Sequence, residues 1–344
     1  MKILVTGGTG FIGSHTVVEL QAIGAEVIIV DNLSNSNIAV LDNIEKISGI
    51  RPGFEQFDLA DQALTANFFE RNHGISGIIH FAAYKAVGES VDKPLHYYRN
   101  NLVSLMNILD GMLTHGITNV VFSSSCTVYG QPDELPVSEQ SPIKPAFSPY
   151  GNTKQIAEEI LHDTLHAYPQ LRAIALRYFN PIGAHPSALI GELPLGIPNN
   201  LVPFITQTAI GKRQQLRVFG NDYNTPDGTA IRDYIHVVDL AKAHVVAINR
   251  MINQNMKKPL EMFNLGTGTG LSVLDVIKSF EKVSGQKLNY VIVDRRPGDV
   301  EKVWADTSFA NNELGWKAKS TTDEMMLSAW NWEKALAVNE KSNS

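Results

Sequence analysis

The stretch MKILVTGGTGFIG at residues 1–13, followed by VIIVDN at residues 27–32, decides the fold. A short apolar strand is followed by four glycines, which make a tight turn into an amphipathic helix over residues 11–23. Glycines let backbone N–H groups approach a pyrophosphate, and the helix N-terminus adds positive potential. The second strand ends in Asp31, whose carboxylate accepts hydrogen bonds from an adenosine ribose and repels a 2′-phosphate.

A glycine-rich turn by itself is weak evidence for a nucleotide site, because the same pattern also occurs in plain turns. Here the turn follows a strand, opens a helix and precedes a second strand that ends in a carboxylate. We therefore expect a bound dinucleotide, with NAD(H) favoured over NADP(H).

Strand-like and helix-like segments alternate as far as residue 180, which predicts an α/β fold with a doubly wound parallel sheet of Rossmann type. Ligands of such sheets lie at the carboxyl ends of the strands. The further strands are predicted at residues 53–57, 77–81, 119–123 and 172–177, and the helices between them at residues 38–48, 62–72, 92–115 and 149–167.

The amino-acid composition changes at Pro181, where a loop rich in glycine and proline begins. We predict a dinucleotide-binding domain at residues 1–180 and a smaller mixed α/β substrate-binding domain at residues 181–344, with some segments returning to the first domain. The polar end, residues 339–344, is predicted to be disordered. Helices of the second domain are predicted at residues 201–210, 237–253 and 272–284.

The bulk composition favours a soluble enzyme of a reducing compartment, and we expect a cytoplasmic protein. A net charge of −6 and the absence of a Lys/Arg run argue against nucleic-acid or membrane binding. Met1 leads directly into the first strand, so no signal peptide is expected. The ten histidines lack metal-ligand spacing, and no metal is expected. The single cysteine, Cys126, is interpreted as a small buried residue rather than a thiol nucleophile, because no histidine lies near it in sequence.

The segment FSPYGNTKQIAEEIL, residues 147–161, carries the candidate chemistry. Ser148 and Pro149 are typical of a helix start, and Tyr150 and Lys154 then share one helical face. A phenol has a pKa of about 10, so it is a poor base at neutral pH. A nearby ammonium and a positively charged nicotinamide ring would both lower that pKa. An isolated YxxxK is usually a half-buried aromatic and a solvated lysine, but here it follows a dinucleotide motif and a predicted strand ending in three serines.

The combination of GGTGFIG, SSS and YxxxK resembles the extended short-chain dehydrogenase/reductase superfamily. From Met1 to about Trp332 the chain is similar to the UDP-hexose 4-epimerases of that superfamily. The motifs that carry the resemblance occur in the expected order: HFAAYKAVGESVDKPLHYYRNN, SSSCTVYG, SPYGNTK, RYFNPIGAHPS, IPNNLVPF, VFGNDYNTPDGTAIRDYIHVVDLA, FNLGTGTG and RRPGDVEKVWAD.

The resemblance implies an isomerase that interconverts UDP-galactose and UDP-glucose with tightly bound NAD. The sugar would be oxidised at C4, turn over as a 4-keto intermediate, and take the hydride back on its other face. Tyr150 would remove the proton of the 4-hydroxyl, Ser125 would relay it, and Lys154 would bind the nicotinamide ribose. Relatives are usually homodimers that pair the helices near residues 92–115 and 150–167, so the resemblance also implies a homodimer.

The resemblance assigns further residues to each ligand. Arg232 and Arg296 suit a diphosphate, although ion pairs with Asp233 or Asp299 are an alternative. Lys85 could equally be a surface lysine. The expected NAD contacts are Gly7, Gly10, Phe11, Ile12, Gly13, Asp31, Asn32, Asn35, Ser36, Asp58, Leu59, Phe81, Ala82, Lys85, Asn100, Ser123, Tyr150, Lys154 and Tyr178. The expected UDP-hexose contacts are Lys85, Ser125, Asn180, Asn200, Leu201, Phe219, Arg232, Arg296, Asp299 and Val303.

Two rival functions share this fold. A nucleotide-sugar 4,6-dehydratase resembles a site with an Asp-Glu pair after the serine or threonine, where this chain has Cys126 and Thr127. A non-catalytic NAD-binding regulator typically lacks the Tyr/Lys pair, which is present here. Substrate breadth stays open, because Val303 is intermediate in size between the tyrosine of narrow enzymes and the small residues of enzymes that also accept UDP-GlcNAc and UDP-GalNAc.

Overall fold

A seven-stranded parallel sheet organises the chain, which the computed structural model describes over residues 1–296 and 299–342. Every neighbouring pair in this sheet is parallel, so the carboxyl ends of its strands share one edge. The strands, in spatial order, are β10 (Leu260–Leu265), β6 (Arg172–Tyr178), β5 (Asn119–Ser125), β4 (Ile75–His80), β1 (Lys2–Thr6), β2 (Glu26–Asp31) and β3 (Gly53–Gln56).

Helices cover both faces of this sheet and bury an apolar layer on each. One layer contains side chains of the helices α1 (Phe11–Ala22), α2 (Val40–Ser48) and α8 (Val237–Ile252). The opposite layer contains side chains of α3 (Gln62–Arg71), α5 (Pro94–His115) and α6 (Pro149–Ala167). The short helix α4 (Val87–Asp92) precedes α5. This arrangement confirms the predicted doubly wound α/β fold.

A second lobe carries two smaller sheets around its own apolar cluster. Strand β9 is central to the larger one and pairs with β7, β11 and β13, whereas β8 and β12 form a two-stranded parallel sheet. The elements of this lobe are β7 (Asn180–Ile182), α7 (Leu201–Ala209), β8 (Leu216–Phe219), β9 (Ile231–His236), β11 (Gly270–Ser272), α9 (Val273–Ser284), β12 (Tyr290–Val293), β13 (Lys302–Val303) and α10 (Thr322–Ser342).

Two segments beyond residue 180 lie on the large sheet rather than in the second lobe. Strand β10 pairs with β6 along its whole length, and α8 packs on α1. The chain therefore crosses between the two parts more than once, and the division at residue 180 stays a prediction. Helix α10 continues to Ser342, and Asn343 and Ser344 lie outside the described residues. The disorder predicted for residues 339–344 stays a prediction.

The turn between β1 and α1 brings backbone segments closer than side chains would allow. Gly7 has φ of +69°, and a Cβ on it would lie 2.8 Å from the amide nitrogen of Ala82. A Cβ on Gly13 would lie 2.3 Å from the carbonyl oxygen of Gly7, well inside van der Waals contact. These two positions therefore require glycine for steric reasons, independently of any ligand.

Gly13→Ala should lower the free energy of unfolding by about 1–3 kcal/mol, the usual cost of overpacking, because its methyl group must displace the turn. The matched control is Gly88→Ala in α4, where an added Cβ meets nothing within 4 Å. Urea unfolding of both variants measures the difference. Equal stability of the two variants would contradict the steric argument.

Candidate active site

Helix α6 begins at the residues that the sequence predicted. The hydroxyl of Ser148 accepts a hydrogen bond from the backbone N–H of Gly151 at 3.1 Å, and Pro149 occupies the first helical position. A side-chain cap of this kind satisfies one of the free donors at a helix start. The cap fixes the first turn of α6, which carries Tyr150, against the end of β5.

Tyr150 and Lys154 lie on one face of α6 and both meet the end of β5. The phenol of Tyr150 hydrogen-bonds with the hydroxyl of Ser125. The ammonium of Lys154 donates to the carbonyl oxygen of Ser123 at 2.6 Å, and its Nζ lies 5.9 Å from the centre of the Tyr150 ring. The structure thus brings together the three side chains expected to be catalytic, although their catalytic roles stay a prediction.

The acidity of these groups differs from the sequence-based expectation. Burial raises the pKa of Tyr150 to about 12, and the hydrogen bond with Ser125 opposes that rise. Burial lowers the pKa of Lys154 to about 8, and the charge of Glu158 opposes that fall. We expected Lys154 and a nicotinamide ring to lower the pKa of the phenol. Within the protein the direction is opposite, because the desolvation of the phenol by burial outweighs the hydrogen bond that opposes it.

The predicted dinucleotide contacts lie along the carboxyl edge of the sheet. The carboxylate of Asp31 accepts hydrogen bonds from the backbone N–H of Thr9 at 3.2 Å and of Leu33 at 2.9 Å, and from the hydroxyl of Ser36 at 3.3 Å. Asp31 therefore ties the end of β2 to the glycine turn. The other predicted contacts on strands or strand ends are Asn32 and Asn35 after β2, Asp58 and Leu59 after β3, Phe81, Ala82 and Lys85 after β4, Ser123 in β5 and Tyr178 in β6.

Asn100 and Tyr178 are held by neighbouring polar groups. The amide of Asn100 donates to Asn101 Oδ1 at 2.9 Å, and Asn101 donates in turn to Thr153 on α6 at 3.1 Å. The hydroxyls of Tyr178 and Ser123 form a very short hydrogen bond. Asn101 was not singled out from the sequence, because a buried asparagine inside a helix has no local pattern that reveals its partners.

Glu192 connects two predicted ligand contacts and was missed by the sequence analysis. Its Oε1 accepts a hydrogen bond from the amide of Asn200 at 2.6 Å and lies 3.3 Å from Nζ of Lys85. The backbone carbonyl of Glu192 accepts from the indole of Trp332 at 2.9 Å, which anchors the loop. Lys85 is therefore not an unpaired surface lysine. The position of Lys85 after a strand end was the sequence signal for a ligand contact. Its partner Glu192 lies far along the chain, so no local pattern could reveal the pair.

Four residues expected to bind the nucleotide sugar form one cluster in the second lobe. Arg296 makes two hydrogen bonds to Asp299, at 2.9 and 3.2 Å, and its guanidinium lies 5.4 Å from the centre of the Phe219 ring. Arg232 lies 3.7 Å from the same carboxylate. The ion pairs with Asp299 that we considered as an alternative are thus present in the protein. Of the remaining predicted contacts, Asn180 begins β7 and Leu201 is the first residue of α7.

Asp233 holds this lobe together and was not predicted to do so. It is fully buried, and its carboxylate accepts from the N–H groups of Thr267 at 2.8 Å, Gly268 at 3.1 Å and Ala305 at 3.2 Å. Burial raises the pKa of Asp233, and these hydrogen bonds lower it. The loop GTGTG, residues 266–270, therefore caps the carboxylate of Asp233. Because Asp233 is fixed in this way, it also positions Arg232, its neighbour in β9.

Cys126, which directly follows Ser125 of β5, lies in the same apolar cluster as Val303. Both belong to one apolar cluster with Tyr129 and Phe179, and Val303 is paired with Arg232 across β13 and β9. Burial raises the pKa of the Cys126 thiol to about 12, and Arg232 is the largest opposing influence. The thiol is therefore neutral at working pH. The charge of Arg232 acts on the residue next to Ser125, which links the second lobe to the end of β5.

Residues 1–296 and 299–342 lack two further kinds of feature. No group of three or more His, Cys, Asp or Glu side chains in these ranges is arranged to hold a metal ion. No helix in the same ranges is long and apolar enough to cross a membrane.

The chain is similar to known proteins over nearly its whole length. The family model described as GDP-mannose 4,6 dehydratase matches residues 4–328. UDP-glucose 4-epimerase 2 of Arabidopsis thaliana is 50% identical over 99% of this chain and 98% of its own length.

Solved structures show the same relationship. The UDP-glucose-4-epimerase of Stenotrophomonas maltophila, with bound NAD and formylated UDP-arabinopyranose, has a TM-score of 0.95 at 45% identity and covers 98% of this chain and 99% of its own. The UDP-glucose 4-epimerase of Bifidobacterium longum, in complex with NAD+ and UDP, has a TM-score of 0.93 at 48% identity and covers 97% and 98%. The chain belongs to the UDP-glucose 4-epimerase family of the extended short-chain dehydrogenases/reductases.

Proposed function

We propose that this protein is an NAD-dependent UDP-glucose 4-epimerase that interconverts UDP-galactose and UDP-glucose by inverting C4 of the hexose. The observation that carries the proposal is the convergence of Ser125, Tyr150 and Lys154 at the carboxyl edge of the sheet, which also carries the glycine turn. The names of the relatives, and the NAD and UDP compounds bound in the solved structures, support the same reaction.

The residues present fit a dinucleotide. The glycine turn leads directly into α1, and no side chain caps the N-terminus of that helix. A helix start of this kind offers free N–H groups to a pyrophosphate. Asp31 is nine-tenths buried and offers carboxylate oxygens at the end of β2, where an adenosine ribose would lie.

Tyr150 and Ser125 are placed to handle the proton of the sugar 4-hydroxyl. The Tyr150 phenol is neutral at pH 7 in the protein itself, because burial raises its pKa to about 12. It therefore needs further positive charge beside it before it can accept a proton as phenolate. When bound, NAD+ supplies that charge together with a reversible hydride acceptor for C4. The ammonium of Lys154, hydrogen-bonded to the carbonyl oxygen of Ser123, places its own positive charge one helical turn from Tyr150.

The second lobe would anchor the UDP moiety while the 4-keto sugar turns over. Arg232 and Arg296 both face the carboxylate of Asp299, so a diphosphate would share or replace an existing ion pair. The amide of Asn200 is held by Glu192 in the same way. These donors are thus oriented by internal carboxylates before a phosphate arrives, which reduces the ordering cost of binding.

The residues of the site argue against both rival functions. A 4,6-dehydratase needs a carboxylic acid after Ser125, and the chain has Cys126 and Thr127 there. Burial raises the pKa of the Cys126 thiol to about 12, so it would not act as a base. A non-catalytic regulator would not need the complete set of Ser125, Tyr150 and Lys154.

We further propose a cytoplasmic homodimer formed through the helices near residues 92–115 and 150–167. Exposed apolar side chains of α5 support this surface: Leu95 and Met106 are 64% and 42% exposed. Exposed apolar side chains on an interface helix favour a protein contact. The net charge of −6 supports the absence of nucleic-acid partners.

Tyr150→Phe should reduce the conversion of UDP-galactose to UDP-glucose by at least ~10²-fold, because the proton at O4 loses its positioned acceptor. The assay follows product without added NAD+. Tyr168→Phe, at the exposed end of the same helix, is the matched control and should retain full turnover. Near-normal turnover of folded Tyr150→Phe protein would contradict the assignment of Tyr150 as the proton acceptor.

Asp31→Ala should weaken NAD retention and relax the discrimination against NADP(H), since the carboxylate that meets the ribose is lost. Absorbance of cofactor released on denaturation measures retention. Asp31→Asn removes the charge but keeps one of the two acceptor oxygens, so it should relax the discrimination against NADP(H) while weakening NAD retention less than Asp31→Ala does. Tighter binding of NADP(H) than NAD(H) by the native protein would show that Asp31 has been misread.

We propose that UDP-GlcNAc and UDP-GalNAc are also interconverted, because valine at position 303 leaves room that a tyrosine ring would fill. Val303→Tyr should remove most activity on the N-acetylated pair by steric exclusion and spare UDP-galactose. Val303→Ala, the control, should keep both activities. A substrate panel analysed by NMR measures the outcome. Native protein that epimerises UDP-galactose but not UDP-GalNAc at saturation would defeat this idea.

A further inference from the structure

A buried ion pair lies directly behind the catalytic residues and belongs to none of the predicted contacts. Arg177 of β6 donates from Nε to Oε1 of Glu158 at 2.9 Å and from Nη2 to Oε2 at 2.6 Å. The two side chains are only 4% and 8% exposed. A paired, two-point contact of this kind fixes both distance and orientation. The pair therefore holds α6 at one position on the sheet.

Glu158 continues the catalytic stripe of α6. Tyr150, Lys154 and Glu158 are each four residues apart, so they share one helical face. Each of the three meets the end of β5: Tyr150 meets the hydroxyl of Ser125, Lys154 the carbonyl of Ser123, and Glu158 the hydroxyl of Ser124, which donates to it at 2.6 Å. The three serines thus bind three successive turns of the helix.

The ion pair also reaches the turn that follows Ser125. Nη1 of Arg177 donates to the hydroxyl of Tyr129 at 2.9 Å, and that hydroxyl donates to Oδ1 of Asn264 on β10 at 2.7 Å. Contacts of Glu158 and Arg177 therefore join α6 to strands β5, β6 and β10. Displacing either side chain would disturb the segments that carry Tyr150 and Ser125.

The charges around Lys154 give the pair an electrostatic effect as well. On its own helix, Lys154 has Tyr150 one turn before it and Glu158 one turn after it. On the sheet its charge acts on His80 of β4, and its carbonyl partner Ser123 is hydrogen-bonded to Tyr178 of β6. Arg177 is paired with Glu158. Burial lowers the pKa of His80 to about 3, so that imidazole is neutral at working pH. The Tyr178 phenol is also neutral, since burial raises its pKa. Glu158 is thus the anion that stabilises the Lys154 ammonium.

We propose that Glu158, held by Arg177, is a positioning residue of the epimerisation: it fixes the turn of α6 that carries Lys154 and places a carboxylate one helical turn from the Lys154 ammonium. The proposal rests on the proposed function for its catalytic consequence. Its electrostatic part concerns this chain's own residues and can be measured without turnover.

The direct test is an NMR titration of protein labelled at lysine Cε, with the Lys154 signal assigned by its loss in Lys154→Met. Glu158→Gln keeps the size and the contact with Ser124 but removes the negative charge and leaves Arg177 facing Lys154. The titration midpoint of Lys154 should therefore fall by about one pH unit or more relative to that of the native protein. Ser124→Ala, which removes a neutral donor and leaves both charges, should leave the midpoint within a few tenths of a unit.

Activity supplies the second measurement. In Glu158→Gln the alkaline limb of the kcat profile should move to lower pH together with the Lys154 midpoint, while KM for UDP-galactose stays within about twofold, because the pair touches no predicted substrate contact. A purely structural role would lower kcat and thermal stability without moving the limb. Native protein that lacks epimerase activity would overturn the proposed function, whereas the NMR midpoints would still decide the electrostatic part.

A second variant guards against misfolding of Glu158→Gln, which leaves Arg177 buried without a partner. Glu158→Gln combined with Arg177→Met removes both charges at similar volume, an exchange that buried ion pairs often tolerate. This folded double variant should lose about tenfold in kcat, and its Lys154 midpoint should lie between those of the native protein and Glu158→Gln. Native kcat and an unshifted midpoint in the double variant would overturn the proposal.

Discussion

Helix α6 and strand β5 run in opposite directions against each other, and the active site depends on this packing. Four residues of an α-helix advance about 6 Å, and two residues of a strand about 6.6 Å. The step from Tyr150 to Lys154 therefore matches the step from Ser125 back to Ser123, and each side chain finds a partner. Because both elements are buried, a small slip would leave polar groups unpaired, which costs free energy. The chemistry and the stability of this region thus share the same contacts.

The side chains predicted to bind the nucleotide sugar carry charges that are already paired. Asp299 lies between Arg232 and Arg296, and Glu192 lies between Lys85 and Asn200. Such pairs hold long side chains in one orientation while leaving the cations able to exchange partners at a partly exposed surface. A diphosphate carries more charge than a carboxylate and can compete for the same donors. In the proposed function, selectivity for a nucleotide sugar would follow from geometry that the free protein maintains.

Local sequence patterns predicted most of the large sheet because each of its strands and helices has its own signal. The strand predicted at residues 119–123 is found as Asn119–Ser125, and the helix predicted at residues 149–167 as Pro149–Ala167. No local pattern predicted the position of strand β10 in the sheet, because its partner β6 lies far back in the chain. The pairing of distant strands depends on the order in which the chain returns to the sheet.

The sequence by itself determined the glycine turn, the carboxylate of Asp31, the Tyr150/Lys154 face and the family to which the chain is similar, because short motifs specify backbone and helical spacing. Only the tertiary structure decided which charges meet. It placed Glu158 against Arg177, brought Glu192 to Lys85, and raised the pKa of the Tyr150 phenol. The physical reason is that burial and long-range contacts set the electrostatics of a group, and neither can be deduced from the residues adjacent to it in the chain.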